Sequence, residues 1–140
     1  MARLINYFVN RKIMEKKGPR NILIVDDEPH IIVAIEFLMK EQGYNVQTAG
    51  DGEEALEVMK TFSPDLIILD VMMPNMNGLE AAKEIRKDSK WSESQIVFLT
   101  AKGTDTDKLN GYSSGGDTYL TKPFDNDELV LRVNEMLTYG

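Results

Sequence analysis

The chain has no cysteine. That excludes disulfides, thiol nucleophiles and cysteine-ligated metal at once. There is one histidine, His30, and one tryptophan, Trp91. No apolar run approaches the ~20 residues needed to span a membrane as a helix. The start, "MARLINYFVNRKIMEKKG", lacks the continuous apolar core and small-residue cleavage site of a secretory signal. These absences fit a cytoplasmic protein.

What is present suits one domain: 140 residues, 42% hydrophobic and 28% charged. The net charge of −7 is unevenly spread, with +5 on residues 1–20 and −12 on the remainder. An acidic body argues against direct nucleic-acid binding. "KKGPR" reads as a linker, so residues 1–20 form a basic extension and residues 21–140 the main domain. Within the extension, Leu4, Ile5, Phe8, Val9 and Ile13 fall near one helical face. Three readings stay open for it. It is a basic amphipathic helix for an anionic membrane or acidic partner, a helix that packs on its own domain or dimerises, or an extension without a fold of its own.

From residue 21 short apolar runs alternate with amphipathic segments. "NILIVDD", "YNVQTA", "DLIILD", "SQIVFLTA" and "DTYLTKPF" read as strands. Helices are expected over 29–43, 51–63, 77–89 and 125–137, with a weakly determined one in "TDTDKLNGYSSGG". Its Gly, Ser and Thr content marks it as the most mobile helix. Five strands alternating with five helices imply an α/β fold: a five-stranded parallel sheet with helices on both faces. Functional residues then belong at the carboxyl ends of the strands.

Those ends carry "DDE", Asp70, Thr100 and Lys122-Pro123. Asp26, Asp27 and Asp70 could not sit together ionised without a cation. Only oxygen ligands are on offer, so Mg²⁺ suits the site better than zinc. A phosphate-bearing ligand would meet both that metal and Lys122. Met72, Met73 and Met76 read as loop packing rather than soft-metal ligands. His30 reads as an exposed helix residue, and Trp91 as a loop residue covering apolar surface.

"ILIVDDEP", "DLIILDVMMPNMNGLE", "VFLTA" and "DTYLTKPF" together resemble the receiver domain of two-component response regulators, over roughly residues 20–138. The resemblance implies a flavodoxin-like (βα)5 doubly wound fold. It implies that Asp70 is the phosphoacceptor, taking a phosphoryl group from a sensor histidine kinase or phosphotransfer protein. Asp27, Asp70 and the backbone carbonyl of Met72 match direct Mg²⁺ ligands, and Asp26 the acid acting through metal-bound water. Lys122 and Thr100 match the groups that bind the phosphoryl oxygens, Tyr119 the aromatic switch, and Pro123 the proline after a cis peptide bond. Two positions depart from the family pattern, Gly116 and Thr118. The residues flanking the phosphoryl group, Met72 and Lys102, imply slow self-dephosphorylation.

The expected role is a phosphoacceptor signalling module that catalyses only its own phosphorylation and dephosphorylation. Its output would be a downstream protein partner or an output domain elsewhere in a longer regulator. Two other functions share the residues: a metal-dependent phosphatase working through an aspartyl phosphate, and a binding module that needs no phosphorylation. Such phosphatases commonly carry a second Asp where this chain has Met72. The complete set of acids, threonine and lysine argues against the third.

Overall fold

The computed structural model describes residues 18–101 and 116–139. The basic extension up to residue 17, the helix expected in "TDTDKLNGYSSGG" and Lys102 lie outside the described residues. The elements run β1 (Asn21–Val25), α1 (Pro29–Glu41), β2 (Asn45–Ala49), α2 (Gly52–Val58), β3 (Leu66–Asp70), α3 (Gly78–Lys87), β4 (Gln95–Ala101), β5 (Thr118–Lys122) and α4 (Asn126–Tyr139), with a 3-10 turn at Ser89–Trp91. All neighbouring strands are parallel, in the order β2-β1-β3-β4-β5. The sheet is therefore wound in both directions from β1, as expected.

The strand sequences explain the layering. Side chains alternate across a sheet, so a strand covered on both faces needs apolar residues throughout. β3 is buried at every position. Leu23, Val25, Ile67, Leu69, Ile96 and Phe98 face the layer that holds Ala55, Met59, Ala81, Ala82 and Ile85 of the α2 and α3 side. Ile22, Ile24, Leu66, Ile68, Val97 and Leu99 face the layer of Ile35 and Met39 from α1 and Leu129, Val133 and Leu137 from α4. The edge strand β2 differs. It alternates exposed and covered residues up to Ala49, as a strand with one face open to solvent does.

The helix boundaries follow local chemistry. Pro29 opens α1, and Gly43, at φ +91°, follows its end. Asp51 caps α2: its Oδ1 accepts the Glu54 amide at 2.8 Å, while Glu54 Oε2 accepts the Gly50 amide at 2.9 Å. α2 stops at Val58, short of the expected residue 63, and tighter turns carry the chain through Phe62 before Pro64. α3 likewise ends at Lys87. Asp88 leaves the helix and its side chain accepts the Lys90 amide at 2.9 Å, opening the 3-10 turn. Trp91, in that turn, packs on the α2–α3 layer, as its apolar ring demands. His30 is exposed.

Candidate functional site

The run "DLIILD" ends at Asp70 because β3 is the central strand and its last side chain emerges at the carboxyl edge of the sheet. The chain must then turn, over residues 71–77, into α3. Gly78 makes that turn possible: its amide bonds the Val71 carbonyl at 2.9 Å, and a β-carbon there would lie 2.2 Å from the Asp70 carbonyl oxygen. Asn75 takes a left-handed backbone, φ 66°, a conformation asparagine tolerates. Asn77 caps α3, accepting the Glu80 amide at 2.9 Å. Asp70 is thus held between a buried strand and a tightly packed helix start.

Asp26 follows β1 directly and is wholly buried, its amide bonded to the Ala49 carbonyl at 3.1 Å. Asp27 is exposed. Asp26, Asp27 and Asp70 each offer a carboxylate oxygen, all within 4.8 Å of one another. Lys122, at the end of β5, reaches across. Its Nζ donates to Asp26 Oδ2 at 2.7 Å and lies 3.5 Å from Asp70 Oδ1. The Lys122-Pro123 bond is cis. Thr100 is fully buried, and its Oγ1 has no hydrogen-bond partner. A buried hydroxyl without a partner costs free energy, and such exceptions in native proteins call for a reason.

Electrostatics separate the charged groups. Burial pushes Asp70 up to about 7, the Asp26 carboxylate adds to the rise, and Lys122 and the Met72 amide oppose it. Burial would lower Lys122; its bonds to Asp26 and Glu28 and the charges of Asp70 and Asp26 outweigh that and raise it. Asp70 is therefore poised between forms near neutrality, and a cation would drive it to the anion. All-oxygen donors at this spacing fit a hard divalent ion such as Mg²⁺.

One residue sits differently from expectation. The Met72 side chain is 60% exposed, whereas Met73 and Met76 pack on the α2–α3 layer, so loop packing describes only the latter two. Tyr119 is 38% exposed, beside Phe98 across the β4–β5 register. One participant was missed. Glu28 Oε2 lies 3.3 Å from Lys122 Nζ. The third acid of "DDE" was its only sequence signal.

A family model described as the response regulator receiver domain matches residues 22–134. The chain belongs to this family. Among curated relatives, the alkaline phosphatase synthesis transcriptional regulatory protein PhoP of Bacillus subtilis is 43% identical over 118 residues, 84% of this chain and 48% of its own length. The transcriptional regulatory protein TcrX of Mycobacterium tuberculosis is 38% identical over 119 residues, 85% of this chain and 50% of its own. The chain thus spans about half the length of these relatives. Among solved structures, the chemotaxis protein CheY4 of Vibrio cholerae is 33% identical with a TM-score of 0.78, covering 84% of this chain and 98% of its own. The receiver domain of the sensor histidine kinase PA1611 of Pseudomonas aeruginosa, with a magnesium ion coordinated in its active-site cleft, is 30% identical with a TM-score of 0.77. That match covers 88% of this chain and all of the other. The receiver is a signalling module of two-component systems, on the doubly wound fold read from the sequence. Among the described residues, no helix is long and apolar enough to cross a membrane.

Proposed function

We propose that Asp70 accepts a phosphoryl group from a sensor histidine kinase or phosphotransfer protein in a Mg²⁺-dependent reaction, and that this switches a partner-binding surface of a cytoplasmic regulator. The receiver unit is residues 21–140, with residues 1–20 as a separate basic segment. The observation that carries the reading is the convergence at one sheet edge of a poised acid, a cation and an unbonded hydroxyl: Asp70, Lys122 and Thr100.

In the transfer, an Asp70 carboxylate oxygen forms the new bond to phosphorus. The bond from phosphorus to the donor's histidine nitrogen breaks, and that nitrogen keeps the electron pair. Such a transfer needs in-line placement and charge neutralisation more than covalent help from the protein. Lys122 supplies positive charge, and Thr100 Oγ–H is free to donate to a phosphoryl oxygen. Asp26, Asp27, Asp70 and the Met72 carbonyl would hold the metal, which would supply neutralisation of the remaining negative charge. Tyr119, exposed on the strand that ends in Lys122, is the side chain that reports the change to a partner. The partner is a protein downstream or an output domain of a longer chain, since the curated relatives are transcriptional regulators that this chain matches over about half of their length.

The test is intact-protein mass after incubation with acetyl phosphate and Mg²⁺. The wild type gains one phosphoryl adduct; Asp70→Asn, or wild type with chelator, gains none. An unmodified wild type, where a known receiver is modified in parallel, overturns the reading.

A further inference from the structure

Glu28 holds a position that no helix-capping role explains. It is the N-cap residue of α1, yet its side chain makes no capping bond. Its backbone amide donates to Asp26 Oδ1 at 2.9 Å, while its carboxylate turns the other way, to Lys122 Nζ at 3.3 Å. Lys122 Nζ in turn donates to Asp26 Oδ2 at 2.7 Å. The three residues close a ring: amide to carboxylate, carboxylate to ammonium, ammonium to carboxylate. Asp70 stands outside it at 3.5 Å.

The ring biases the lysine. Three carboxylates compete for one ammonium, and the two nearest belong to the first loop. Asp26 has no exposed surface and needs the cation. Glu28 is half exposed and has no such need. Its charge adds to the pull towards the first loop, away from the acid at the end of β3. Glutamate gains little stability from this placement, because water screens a half-exposed pair. The arrangement therefore makes more sense as positioning than as a stabilising bridge.

We propose that Glu28 is a positioning residue for phosphoryl transfer: it retains the Lys122 ammonium on the first loop in the resting protein, so that the lysine must be released before it can serve a phosphoryl group on Asp70. This rests on the phosphoacceptor reading of Asp70. Glu28 sets how fast the site is charged and need touch neither the metal nor the phosphoryl group.

Two measurements test it. The first uses metal-free protein and no phosphodonor: the ¹⁵N–¹H signal of the Lys122 ammonium, in wild type, Glu28→Gln and Glu28→Asp. Glu28→Gln removes the charge, and Glu28→Asp keeps it on a shorter arm. The signal should move in Glu28→Gln and move less in Glu28→Asp. The second is the rate of adduct formation from acetyl phosphate at saturating Mg²⁺. Glu28→Gln should be faster by roughly two- to fivefold, the scale of one exposed ion pair, with Glu28→Asp in between. Saturating the metal removes any change in its affinity from the comparison. An unmoved ammonium signal overturns the proposal, as does an equal or slower rate for Glu28→Gln. If wild type takes no phosphoryl group at all, the phosphoacceptor reading falls, and the ammonium signal still reports separately whether Glu28 holds the lysine.

Discussion

The two ends of the sheet are built from similar residues and arranged in opposite ways. At the amino end, Asp65 and Asp117 each meet a donor. Asp65 Oδ2 accepts the Asn21 amide at 2.8 Å. Asp117 Oδ2 accepts the Ile96 amide at 2.8 Å and pairs with Arg86 at 3.0 Å. Arg86 also donates to the Ser94 carbonyl at 2.6 Å, and Ser94 Oγ to the Pro64 carbonyl at 2.7 Å. Two donors near that end, Arg20 Nε and Trp91 Nε1, stay unbonded; neither is an acid. At the carboxyl end, three acids crowd within 4.8 Å and a buried hydroxyl has no partner. One end spends its polar groups on holding strands in register. The other stores unfavourable electrostatics that a cation and a phosphoryl group would relieve. A substitution at the amino end should therefore only cost stability, whereas one at the carboxyl end can raise it.

The largest expected effect comes from Lys122→Met. It leaves Asp26 fully buried beside two other acids with no cation, and should destabilise the metal-free protein by about 3 kcal/mol at pH 7. Urea unfolding at that pH checks it. Asp70→Asn should act in the reverse direction. Asp70 titrates near 7 in the fold and near the ordinary carboxylate value when unfolded. Below pH ~4 both states hold the proton and the residue is neutral in stability. Between ~4 and ~7 the unfolded chain releases the proton while the native state keeps it, so wild-type stability falls as pH rises. Asparagine removes that slope. The variant should match wild type in acid and exceed it by on the order of 2 kcal/mol at pH 7 and above, without metal. Mg²⁺ should stabilise wild type and narrow the gap. A parallel pair of pH–stability curves would end the claim that this edge carries stored repulsion.

The sequence displayed the carboxyl end far better than the amino end. Asp26, Asp70 and Thr100 each sit at the end of an apolar run, Lys122 ends the fifth strand, and parallel strands bring strand ends together. That inference needs only strand direction. The same logic finds Asp27, but it does not say that Asp26 would be sealed from solvent while Asp27 is exposed. Glu28 escaped because a glutamate after a strand and before Pro29 reads as a helix-start acid; only coordinates show its side chain turned to Lys122. The Arg86–Asp117 clamp was invisible for another reason. Its members are 31 residues apart, and neither lies in an apolar pattern that fixes its direction. Gly116, noted as a departure from the family pattern, has a packing cause: a β-carbon there would come within 2.2 Å of the Phe98 ring. A large residue on β4 and a missing side chain before β5 compensate each other, which a single sequence cannot reveal.

The clamp supplies the smallest effect and the sharpest control. Asp117→Ala removes the acceptor of the Ile96 amide and the partner of Arg86, and should cost about 1.5 kcal/mol, less than a buried pair because the Asp117 side chain is half exposed. Asp117→Asn keeps an oxygen for the amide and loses the charge, so it should recover roughly half of that loss. Both variants should take the acetyl phosphate adduct at the wild-type rate, because the clamp lies at the end of β4 and β5 remote from Asp70. Urea unfolding and the adduct assay, run on the same preparations, separate the two ends. A variant with intact stability but slowed phosphorylation would mean that the register of β5 is transmitted along the strand to Lys122. In that case the amino end would belong to the functional machinery, and the division between a satisfied end and a reactive one would not hold.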